Sequence, residues 1–71
     1  MYKYCVCFYI NYDEYRAGAE FFTSEPIINV NDNCITTYEG DIKFSGTIAE
    51  ISLITDGHEV INKTVFEGEE R

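Results

Sequence analysis

The chain has no tryptophan, one proline, one histidine and only five lysines and arginines in 71 residues, and each shortage excludes something. So few cations, against thirteen acids and a net charge of −8, exclude direct binding to phosphate backbones or anionic membranes, because the field of the protein repels both. A lone histidine leaves cysteine–histidine catalysis with a single base, His58, in an acidic field that holds thiols protonated. A single proline, with ordinary apolar content, argues against a disordered chain. The longest apolar run, "CVCFYI", is too short to cross a bilayer and lacks the cleavage pattern of a signal peptide. Three cysteines is an odd number, so a fully paired secreted framework is excluded and a reducing cytoplasm is the expected compartment.

What is present is tyrosine, acid and β-branched residues. Five of the six tyrosines fall in the first fifteen residues. Over residues 2–12 the chain alternates, with Tyr2, Tyr4, Val6, Phe8, Ile10 and Tyr12 on one face and Lys3, Cys5, Cys7, Tyr9 and Asn11 on the other. Apolar character on both faces predicts a long central strand, with Val6, Phe8 and Ile10 inside and Tyr9 and Tyr15 partly exposed. The segment "DEYRAGAEFF" is two-sided. A short helix over residues 13–22, capped by Asp13, competes with a strand over 19–23, and Gly18 favours the strand.

Further along, Pro26 breaks the ladder before a short "IINV" strand, and Asn31, Asp32 and Asn33 carry turn chemistry. "CITTY" and "IKFS" read as strands around a turn at Glu39, Gly40 and Asp41. Asp56-Gly57 between "TIAEISLIT" and "EVINKTVFE" predicts a two-residue type I′ hairpin. The expected fold is therefore mostly β: one domain over residues 1–71, a small antiparallel sheet of five or six strands curled into a barrel or sandwich, the helix over 13–22 being the alternative, and 68–71 a frayed acidic tail. A chain of this length buries only about 60% of its unfolded surface, so its core is thin and leaves little room for a ligand pocket.

Cys5, Cys7, Cys34 and His58 are the one set that could hold zinc. The two-residue strand spacing of Cys5 and Cys7 is a poor match to a zinc knuckle, and the thiols read as small hydrophobes; no metal, cofactor or catalytic residue is assigned. The function expected from this composition is non-enzymatic. An acidic, tyrosine-bearing surface, with Tyr9, Asp13, Glu14, Tyr15 and Glu20 as its contact residues, suits an inhibitor or adaptor docking on a basic surface of a larger protein. A nucleic-acid-binding partner is a specific version, in which carboxylates imitate phosphates as small acidic inhibitors from phages and mobile elements do. The alternative is a structural or self-assembling β module, a homodimer included.

Overall fold

The computed structural model describes residues 1–10 and 15–68. Among them are seven strands and no helix: β1 (Tyr2–Tyr9), β2 (Arg16–Thr23), β3 (Asn29–Asn31), β4 (Cys34–Thr37), β5 (Gly40–Lys43), β6 (Ile48–Thr55) and β7 (Val60–Glu67). They form a four-stranded sheet in the order β2-β1-β6-β7 and a three-stranded sheet in the order β3-β4-β5, every pairing antiparallel. The small sheet is a meander inserted between β2 and β6. The architecture is thus mostly β and antiparallel, but it has seven strands rather than five or six, and two open sheets rather than the single sheet curled into a barrel or sandwich; it is not a closed barrel.

The core lies between the sheets. Tyr4, Val6, Ile48 and Ile51 from the large sheet meet Ile35 from the small one, and Phe8, Phe21, Ile42, Phe44, Leu53 and Phe66 close the rim. Rings do much of this packing: Phe8 and Phe44 join the sheets with centroids 4.8 Å apart, and Tyr4 stacks on Phe21 at 5.4 Å. A backbone bond ties the layers as well, Ile48 N–H to the Asp32 carbonyl, while Phe44 N–H to the Asn33 carbonyl extends the β4–β5 ladder by one step. The carboxylate of Glu39 accepts both the N–H and the hydroxyl of Ser24, at 2.7 and 2.6 Å, which pins the segment after β2 to the turn after β4 and holds the Glu39 carboxyl below the usual range.

β1 is central, as its two-sided apolar pattern requires, and pairs with β2 and β6. It stops at Tyr9, however, and two of its assignments reverse. Ile10, expected inside, is exposed, whereas Tyr9, expected at the surface, is only 4% exposed. The cause is tertiary: Tyr9 N–H donates to the Thr47 carbonyl, the bend at Gly46 abuts the Tyr9 carbonyl, and the Arg16 guanidinium lies 5.3 Å from the ring centroid while donating to its hydroxyl at 3.2 Å. The helix alternative is overturned for residues 16–22, which lie in β2; residues 13 and 14 are outside the described residues. Alanine favours helices, but an unbroken ladder from Tyr2↔Thr23 to Tyr9↔Arg16 places Ala17, Ala19 and Phe21 toward the core, and this pairing outweighs local propensity.

Two turns also differ from expectation. The β4–β5 turn is Tyr38-Glu39, since Thr37 pairs with Gly40. The β6–β7 ladder ends at Thr55↔Val60, so the hairpin loop is Asp56, Gly57, His58 and Glu59, not a two-residue type I′ turn. Only Gly57 in it has positive φ, at 93°. The Asp56 carboxylate accepts the N–H groups of His58 and Glu59, at 2.8 and 3.0 Å, and these bonds depress its pKa. Asp56 thus caps its own loop, and Gly57 supplies the one positive-φ position in it. At the end of β7, Gly68 N–H donates to the Ala49 carbonyl, so the ladder extends one bond into the segment expected to fray; residues 69–71 are outside the described residues.

Candidate functional site: the outer face of the large sheet

One face of the large sheet covers the core and the other faces outward. Registers across the four strands define its rows. One row runs Glu20, Cys5, Ser52, Thr64; the next runs Gly18, Cys7, Glu50, Glu67; a third runs Phe22, Lys3, Thr55, Val60. Neighbouring strands lie about 4.8 Å apart, so these side chains stand on a rigid grid.

The grid is acidic in its middle. Glu50 and Glu67 are direct cross-strand neighbours, a like-charge placement that is destabilising in a sheet. Glu50 is half-buried, and its Oε1 accepts the Ser52 hydroxyl at 3.3 Å. Glu20 is paired with Lys3 at 2.7 Å, and the same ammonium lies 6.0 Å from the centre of the exposed Phe22 ring. Both partners of the ion pair are solvent-accessible, so its contribution to stability is small.

Between the carboxylates sit two thiols. Burial pushes the Cys5 thiol up, the neighbouring Cys7, Glu20 and Glu50 push it further, and Lys3 opposes them. Such a thiol is a poor nucleophile at neutral pH. Cys34 precedes the inward-facing Ile35 on β4, and so faces away from the core on the small sheet, across the molecule from Cys5 and Cys7. The fold therefore disperses the candidate zinc ligands, and among the described residues no group of three or more histidine, cysteine or acidic side chains is placed to share an ion.

Of the contact residues expected from sequence, Glu20 is on this face and exposed. Tyr9 is not available as a contact, being buried beneath Arg16. Tyr15 is 79% exposed, in step with Ala17, Ala19 and Phe21 and so at the sheet's edge rather than among the carboxylates. Asp13 and Glu14 lie outside the described residues. Glu50 and Glu67 were missed. They are 17 residues apart in sequence, and only the β6–β7 register brings them together; the hairpin signal located the neighbourhood, but two bulges in β7 decide which residues face each other.

A second feature bears on the expectation of little room for a ligand pocket. A cleft of about 570 Å³ opens at one end of the core, lined by Tyr2, Ile27, Ile28, Leu53, Val65 and Phe66 among others. The cleft is shallow and open to solvent, its lining is largely apolar, and the Tyr4 hydroxyl beside it already accepts Ile27 N–H at 3.4 Å. The cleft has no set of convergent charged groups to fix a ligand.

No helix among the described residues is long and apolar enough to cross a membrane. Comparison of the chain with protein-family models, with curated proteins and with solved structures found no match, so the candidate site rests on its own geometry.

Proposed function

We propose that this chain is a non-enzymatic binding module whose acidic outer sheet face docks on a basic surface of a larger protein, as an inhibitor or adaptor. The observation that carries the reading is the Glu50–Glu67 pair. Opposed carboxylates cost stability in the free protein, and an arginine or lysine seated between them would turn that repulsion into attraction. Glu20 widens the acidic field, and Phe22, exposed on the same face, is the aromatic anchor. A net charge of −8 adds long-range steering toward a cationic partner. A nucleic-acid-binding protein is the narrower version, with the rigid carboxylates standing in for phosphates. A reducing cytoplasm suits a chain with three free, half-buried thiols.

The test is to capture the partner from the source cells, identify it by mass spectrometry, and measure association and dissociation rates at two salt concentrations. Association is expected to slow as salt rises, Glu50→Gln and Glu67→Gln to weaken binding, and an oligonucleotide to compete if the partner's groove is the target. Affinity that is flat across salt and unchanged by both substitutions would reduce the acidity to a solubility device.

A further inference from the structure

We propose that β2 is a self-pairing edge: two copies of the chain join antiparallel about a two-fold axis at Gly18, Arg16 of each copy facing Glu20 of the other. This goes beyond the acidic-face reading and stands on the backbone edge of β2 rather than on the Glu50–Glu67 pair, Glu20 being common to both.

Among the described residues, four strand edges are open in the two sheets, and three are protected. β3 and β5 have three and four residues, too short to template a partner. β7 has eight, but its ladder to β6 is broken twice: Val65 is left over between the pairs Ile51↔Phe66 and Ser52↔Thr64, and Ile61 and Asn62 together oppose Ile54, with Asn62 at a φ of 51°. Bulges of this kind twist an edge out of pairing geometry. β2 also has eight residues, and its register to β1 runs through all of them without a shift. The chain protects one long edge and leaves the other straight.

The direction of the free backbone groups follows from two bonds. Ile10 N–H donates to the Tyr15 carbonyl, so the residues of β2 in step with Tyr15 (Ala17, Ala19, Phe21 and Thr23) direct their backbone groups to β1. Tyr9 N–H donates to Thr47 on the opposite side of β1, as the same alternation requires. The N–H and C=O groups of Arg16, Gly18, Glu20 and Phe22 therefore point out of the sheet.

A two-fold axis perpendicular to the sheet keeps the outer faces of both copies on one side and makes equivalent strands antiparallel. Centred on Gly18, it sets Arg16 opposite Glu20, Ala17 opposite Ala19, and Tyr15 opposite Phe21. Base meets acid, small meets small, and aromatic meets aromatic. Tyr15, 79% exposed in the single chain, then has a ring to pack against. Centring on Glu20 sets two carboxylates against each other. Centring on Ala19 sets Gly18 opposite Glu20 and Arg16 opposite Phe22, so neither charge meets an opposite charge of the other copy. The Gly18 register is the one in which the sequence of β2 complements itself, and it yields one continuous sheet through both copies.

Sedimentation velocity on the full chain, with circular dichroism to verify the sheet in every variant, tests this. The wild-type mass is expected to double with concentration. Arg16→Glu is expected to raise the dimer dissociation constant about tenfold or more, and adding Glu20→Arg to it to restore the wild-type value to within about threefold, because only this register exchanges those two positions. Gly18→Pro removes an outward N–H without touching the β1 ladder, and is expected to leave single chains. A wild-type protein of single-chain mass up to about 1 mM overturns the proposal. A dimer indifferent to both Arg16→Glu and Gly18→Pro overturns it equally, as does a folded charge-swapped variant no tighter than Arg16→Glu alone.

Discussion

Glu50 on β6 and Glu67 on β7 stand directly opposite one another on the exposed face of the large sheet, with Cys7 as the neighbour of Glu50 on its other side. Two acids so placed make the free protein less stable than its sequence would otherwise allow.

Removing one charge should expose this trade. Glu67→Gln is expected to stabilise the isolated protein by about 0.2–1 kcal/mol while weakening attachment to a basic partner. Chemical denaturation and binding, measured on the same preparation, give the two signs. A variant less stable than wild type would show that the pair is not repulsive in place.

The two tyrosines flanking the first connection should behave oppositely. Tyr9 is 4% exposed and its hydroxyl accepts from Arg16, so Tyr9→Ala is expected to cost about 3 kcal/mol of folding stability through cavity formation. Tyr15→Ala should leave the folding stability of the single chain within about 0.5 kcal/mol of wild type, as befits an exposed ring. Equal melting losses in both variants would contradict this division.

In the β6–β7 loop, Gly57→Val places a β-branched residue at a φ of 93° and drives its Cβ against the backbone of Met1. An expected loss of about 1–3 kcal/mol would lower the thermal midpoint. Asp56 gives a pH signature. Hydrogen bonds from Glu59 and His58 depress its folded pKa, so its contribution is complete above the ordinary aspartate range and is lost as pH falls through the depressed value. Carboxyl chemical shifts should show Asp56 titrating below a model aspartate, and Asp56→Ala should remove that acid-side loss.

The raised Cys5 thiol should alkylate slowly. At neutral pH, iodoacetamide is expected to modify Cys5 more slowly than a free cysteine, and Glu20→Gln with Glu50→Gln to accelerate it by removing two of the charges that oppose the thiolate. Mass mapping of the modified peptides checks this. A Cys5 that reacts as fast as free cysteine would mean that it is neither shielded nor held protonated.

The sequence by itself determined the β class, the central place of β1, a turn within Asn31 to Asn33 and the acidity. These follow from local causes: period-two alternation, β-branched and aromatic residues, turn chemistry and a sum of charges. Division into two sheets, burial of Tyr9, exposure of Ile10, strand rather than helix at residues 16–22, and the meeting of Glu50 with Glu67 were decided only in the tertiary structure. Each depends on a partner distant in the chain. Arg16 covers Tyr9, β1 holds β2 extended against the helical leaning of its alanines, and bulges at Val65 and Asn62 set which side chains of β7 stand beside those of β6. Register is a property of two strands at once, and a one-residue slip exchanges the faces, so neither strand's sequence alone contains it.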